Sequence, residues 1–163
     1  MSDSPYRIFA QAPGALIDPA AIVRSATRFF EADVNVESYR SLGADDPPAD
    51  GGELVLRLES ARRNLAGTFR VRTRLSQAAD YEDARQAEER GRAGGMGLLA
   101  ARCPSIWEVT PVGEPSPGAA LNLCAVLAAV ALGPTLPPDC STLYGVRGAM
   151  ERLEALTGAS LSR

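Results

Sequence analysis

Glu53-Leu-Val-Leu-Arg-Leu-Glu59 and Phe69-Arg-Val-Arg-Thr-Arg-Leu75, separated by a segment holding Asn64 and Gly67, decide the fold class. In the first run Leu54, Leu56 and Leu58 share one face, and Glu53, Val55, Arg57 and Glu59 share the other. In the second, Phe69, Val71, Thr73 and Leu75 alternate with Arg70, Arg72 and Arg74. A period of two over seven residues is the mark of a strand, and two such runs around turn formers predict a hairpin. Strands that are apolar on one side only belong to an antiparallel sheet with one face left to water or a partner.

The rest of the chain is read outward from that hairpin. Upstream, Tyr6 to Ala10 alternates as a strand, and Asp18-Pro19 opens a helix over about 19–31, with Asp as N-cap and Pro in the first turn. Val34 to Tyr39 is a second strand. The segment 41–52, rich in Pro, Gly and Asp, is expected to be an exposed, mobile acidic loop. Downstream, Asp80 with Asp83 three residues later predicts a capped helix start. That helix runs to about 90, or to 102 if the glycines at 91, 94, 95 and 97 form a packing face rather than a break. Ile106 to Val109 is a short strand. Ala119 to Leu132, apolar but for Asn122, is a helix packed on several sides. Thr135 to Pro138 is a connector, and Ser141 caps a last helix to about Thr157, with Gly158 closing it.

The order β-α-β-β-β-α-β-α-α predicts an α+β domain, an antiparallel sheet of about five strands with helices packed on one face. It resembles the order of elements in small ferredoxin-like modules, and such a resemblance in order implies no function. Residues 1–163 are read as one domain, since the forty residues before the acidic loop are too few to fold alone.

Composition removes several mechanisms. The 163 residues include no histidine, and all 17 basic residues are arginine. Histidine-based triads, imidazole metal ligands, lysine Schiff bases and the phosphate-binding lysine of nucleotide loops are therefore excluded. Cys103, Cys124 and Cys140 are odd in number and lack metal-ligand spacing, so they are expected to be reduced thiols in the cytoplasm, and neither a metal nor a cofactor is expected. The N-terminus has neither the basic nor the apolar region of a signal peptide, and the longest apolar stretch is shorter than the ~20 residues of a membrane span. A net charge of −3 disfavours nucleic acid as partner. Charge is nonetheless uneven: residues 57–102 hold ten arginines against six acids.

Four features are candidates for chemistry. Arg57, Arg70, Arg72 and Arg74 form a stripe of guanidiniums ~7 Å apart along a strand, suited to an acidic protein surface or to phosphate. The same arrangement also arises from plain cross-strand pairing with Glu53, Glu59 or Glu37. The glycine run 91–97 follows a helix and has no lysine behind it, which favours a break or close packing over phosphate binding. Cys140, placed at the start of the last helix, is a thiol whose ionisation the helix dipole would favour and Asp139 oppose. Glu108 beside Trp107, with Asp139, is a carboxylate pair open to acid/base work. Trp107 and helix 119–132 are core, or else the helix lines a homodimer interface.

The function expected from these residues is that of a non-enzymatic, cytoplasmic protein-binding module of regulatory, adaptor or immunity type, using the Arg-rich sheet face against an acidic partner. The alternative is a binder of a phosphate-bearing small molecule or nucleic acid through the same arginines. The third is an enzyme dependent on carboxylates or on Cys140.

Overall fold

A computed structural model describes residues 4–12, 17–41 and 52–161. The chain order is β1 (Tyr6–Ala10), α1 (Pro19–Phe29), β2 (Asp33–Ser41), β3 (Gly52–Ser60), β4 (Leu65–Leu75), α2 (Ala78–Gly91), α3 (Met96–Ala101), β5 (Ser105–Val112), α4 (Ala119–Ala131), β6 (Thr135–Leu136) and α5 (Val146–Leu161). The fold is α+β, with a single antiparallel sheet in the order β2-β3-β4-β5-β1-β6. The sheet therefore has six strands rather than five. The additional strand is the connector after α4, whose two residues lie between Pro134 and Pro137 and are too few to show any alternation.

The order also departs from a ferredoxin-like sheet, in which one strand separates the two that flank the first helix. Here β3, β4 and β5 separate β1 from β2, so α1 crosses three strands. The hairpin is tighter than its turn formers imply. Ser60 faces Leu65 directly, and residues 61–64 make the whole connection, with Asn64 at φ +55°. Gly67 is a strand residue of β4, opposite Leu58. The acidic segment 41–52 lies outside the described residues except for Ser41, which ends β2, and Gly52, which begins β3.

Helices cover both faces of the sheet, not one. On the front, Ile8, Trp107, Val109, Val71, Phe69, Leu54, Leu56 and Leu58 pack against α1, α4 and α5 in the main core. Helix α4 is buried nearly all round because it lies between the sheet and the other two helices, and this accounts for its apolar sequence within one chain. Asn122 is fully buried there with neither amide atom hydrogen-bonded among the described residues, a desolvation cost of about 1–3 kcal/mol that the packing around it must offset. On the back, Phe9, Ile106 and Leu136 meet Ala84, Ala87 and Ala100 of α2 and α3 in a second, smaller core. The alanines let the two helices lie close. This back layer sits over β5, β1 and β6, while among the described residues no helix covers β2, β3 and β4 there beyond the edge where α2 meets Arg74.

The glycine run settles as a break. Helix α2 ends at Gly91, Arg92 turns left-handed at φ +53°, and Gly95 at φ +89° precedes α3. Glu88 then accepts a hydrogen bond from the backbone N–H of Gly97 at 2.6 Å, capping the second helix from the first. Gly91 is also a packing position, because a Cβ there would collide with the Thr142 side chain and stand 2.8 Å from its Cα. The last helix starts at Val146 and not at Ser141, and it runs on through Gly158. Residues before it are drawn to the sheet instead, where Tyr144 bridges Thr135.

At the sheet edge, β2 is nine residues long but carries a bulge between Val36 and Ser38 and charged side chains at Asp33, Glu37 and Arg40. Both devices discourage pairing with another chain. Substitution Gly91→Ala should cost about 1–3 kcal/mol through overpacking against Thr142. Gly94→Ala, whose Cβ meets nothing within 4 Å, should change stability by less than about 0.5 kcal/mol. Urea unfolding of the two variants checks the contrast, and equal effects would contradict it.

Candidate functional site

The back face of β2, β3 and β4 is built by register. Arg40 on β2 faces Glu53 on β3, Glu53 faces Arg72 on β4, Arg72 faces Glu108 on β5, and Glu108 faces Arg7 on β1. A row of alternating charge thus crosses five strands. Cross-strand neighbours of opposite sign each add a few tenths of a kcal/mol to ~1 kcal/mol, so the row also fixes strand register.

The four predicted arginines are treated differently. Arg70 and Arg72 both turn to Glu53, with Nε–O distances of 3.0 and 3.8 Å. Arg57 pairs at 2.7 Å with Glu59 on its own strand. Their side chains are 48%, 63% and 55% exposed, so these pairs are worth at most ~1 kcal/mol each and exchange readily. Arg74 is drawn away. It binds Asp80 through both terminal nitrogens, at 2.7 and 2.8 Å, and its Nε lies 3.3 Å from Glu108. Its guanidinium belongs to the border between the open and the covered half of the sheet.

That border is an ionic cluster. Asp80 is buried, and its carboxylate accepts from Arg74, from Arg7 at 3.0 Å and from the backbone N–H of Gln77 at 2.8 Å. Asp80 is therefore the third residue of α2 rather than its cap, and Gln77 takes the capping place. Asp83 joins from one turn later, 2.9 Å from Arg7. Burial by itself pushes the Asp80 carboxyl up, but the hydrogen bonds from Arg74, Gln77 and Arg7 outweigh it and hold the group below its ordinary value.

A pocket of about 190 Å³ opens beside this cluster, lined by Arg40, Gly52, Glu53, Arg72, Thr73, Arg74 and Glu108. Arg40 was not among the expected site residues, because the strand pattern ends at Tyr39 and only the register with Glu53 brings it in. It makes no ion pair among the described residues. The bulge in β2 also sets Tyr39 opposite core-facing Leu54, so the Arg face has no aromatic platform for stacking a base.

The remaining candidates separate. Glu108 is paired with Arg74, while Asp139 accepts from the backbone N–H of Ser141 at 3.0 Å, so the two carboxylates serve different structures. Cys140 is not at a helix start, since α5 begins six residues later. Its backbone is left-handed at φ +54°, and its Sγ accepts from Arg7 Nη2 at 3.4 Å. Burial pushes the Cys103 thiol up to about 11 and Cys124 higher still, which leaves both as apolar core groups. Among the described residues no three His, Cys, Asp or Glu side chains are placed to hold a metal ion. No helix among them is long and apolar enough to cross a membrane.

The chain matches no known family model, no curated protein and no solved structure.

Asp80→Asn should destabilise the protein by about 3–5 kcal/mol at pH 7, since it leaves two partly buried guanidiniums without their shared anion. The folded carboxyl lies below its unfolded value, so its contribution is complete above the usual carboxylate range of ~3.9 and is lost as pH falls through the folded value. The gap between native and variant urea midpoints should therefore be constant from pH 7 down to about pH 4 and narrow as the pH is lowered further. A gap independent of pH would contradict the assignment.

Proposed function

We propose that this chain is a non-enzymatic, cytoplasmic protein-binding module of regulatory, adaptor or immunity type that docks an acidic surface of another protein on the open half of its sheet. One observation carries this reading. Arg57, Arg70 and Arg72 project side by side from β3 and β4, about half exposed or more, with only Glu53 and Glu59 as ionic partners among the described residues. Arg70 and Arg72 share one carboxylate between them, which leaves guanidinium donors over. A guanidinium offers five donors in a planar fork, and a bidentate carboxylate from a partner would satisfy them better than the exposed pairs now do. Arg40 adds a fourth positive group at the edge. Arg74, held by Asp80 and Glu108, contributes by setting where the covered face ends.

A rigid, twisted platform of three strands favours a protein partner over a flexible ligand, because its charged groups are preorganised by register. Opposite-sign patches of this kind act mainly on association rate and partner choice.

The test uses a photo-crosslinking residue at Thr68, which faces Arg57 on the open half, in the full chain expressed in its source cell. A second probe at exposed Thr27 on α1 reports the opposite side. The expected result is a discrete adduct from position 68, absent from position 27, that disappears with Arg70→Glu and Arg72→Glu while the chain stays folded, its stability lowered only by the about 1–3 kcal/mol that loss and reversal of the exposed cross-strand pairs cost. An adduct that survives the charge reversal would defeat the proposal.

A further inference from the structure

The turn joining β3 to β4 lies at the far end of the hairpin from the charged pocket, and its two arginines have opposite fates. Arg62 donates to Glu31 at 2.9 Å and is well exposed. Arg63 makes no side-chain hydrogen bond or ion pair among the described residues, although its Nε is buried from solvent. The terminal nitrogens of Arg63 are not withdrawn from solvent, so the charge keeps its hydration while the Nε–H is left without an acceptor, and a buried donor without a partner is uncommon. The turn is not slack. The backbone N–H of Arg63 donates to Ser60 Oγ at 3.3 Å, Ser60 Oγ donates to the Glu31 carbonyl at 2.9 Å, and Asn64 is fixed in the left-handed region.

Arg63 lines a groove of about 620 Å³ between this turn, the loop at Ser116 and Pro117, and the C-terminal half of α5. That volume is in the range of small-molecule sites. Leu65, Pro117 and Leu156 supply apolar walls, and Leu156 is half exposed on a helix otherwise turned inward at Leu153. Glu31 borders the groove too, but Arg62 neutralises it, which leaves Arg63 as the uncompensated charge. The combination of one planar cation and three apolar side chains defines an amphipathic anion as the complementary ligand, with a carboxylate that the guanidinium receives in a fork.

We propose that this groove binds a monocarboxylate with a short apolar tail, its carboxylate on Arg63 and its tail along Leu65, Pro117 and Leu156. Two sources share that chemistry, a small aliphatic acid and the C-terminal carboxylate of a peptide ending in an apolar residue. Calorimetric titration of the full chain with octanoate, octan-1-ol, and a leucine-ending peptide as free acid and as amide distinguishes them. Octanoate should bind with a submillimolar Kd, and the alcohol at least ten-fold more weakly. Arg63→Met, which keeps the stem and removes the charge, should cost octanoate at least ten-fold. Leu156→Glu, at an exposed helix position, should weaken it similarly by setting a like charge in the groove, and serves if the first variant does not fold. A peptide acid that outcompetes octanoate, with its amide silent, assigns the peptide source, and the reverse order assigns the small acid. No heat with any ligand, equal affinity for octanoate and octanol, or affinity unchanged in both variants would overturn the proposal.

Discussion

The carboxylate of Asp80 holds the two halves of the architecture in relation. It is buried, and it gathers Arg7 from β1, Arg74 from β4 and the first turn of α2 onto one group. A lone carboxylate in that position would be strongly disfavoured, and two arginines without it would be disfavoured as well. The three form a unit whose members are separately costly and jointly stable. Because one arginine comes from each of two strands, the unit also fixes where α2 lands on the sheet. Tyr81, next in sequence, completes the docking by donating its hydroxyl to the Cys103 carbonyl at 2.7 Å.

The place where α2 lands determines which part of the back face is covered. Over β5, β1 and β6 the sheet buries Phe9, Ile106 and Leu136 under small residues, and it reads as core. Over β2, β3 and β4 the same face carries Arg40, Glu53, Arg57, Arg70 and Arg72, and no helix among the described residues covers them. The change from one regime to the other falls between Arg72, which belongs to the open row, and Arg74, two residues further along the same strand, which belongs to the clamp. The open charged surface and the structural clamp are thus adjacent segments of one periodic pattern.

Much of this was legible in the sequence. The alternation in 53–59 and 69–75 placed both strands and the side of each that meets the core, and Asp18 caps α1 by accepting from the backbone N–H of Ala20, as expected. Pairing across the sheet was not legible. Nothing local to Arg40, Glu53, Arg72, Glu108 and Arg7 reveals that they form one row, because register depends on loop lengths and on a bulge at Glu37 that no composition signals. Local spacing marks Asp80 as part of a helix start, where its carboxylate does accept from the Gln77 N–H, but it cannot show that the same carboxylate also holds arginines of two strands. β6 escaped because two residues cannot display a period. The second helical layer was missed for a related reason. Phe9 and Ile106 are apolar positions on a face that elsewhere is charged, and only strand order places them side by side under α2.

Strand β1 pairs with β5 about a hundred residues downstream, whereas β2, β3 and β4 are joined by short connections. Loop closure of that length carries an entropic penalty that the meander of β2 to β4 does not face. The meander is accordingly the part of the sheet held by the more local contacts, while β1, between β5 and β6, is held by the most distant ones. Arg7 arrives with β1. The open charged face is thus built from strands that follow one another in sequence, whereas the clamp beside it also needs a strand from the far end of the chain.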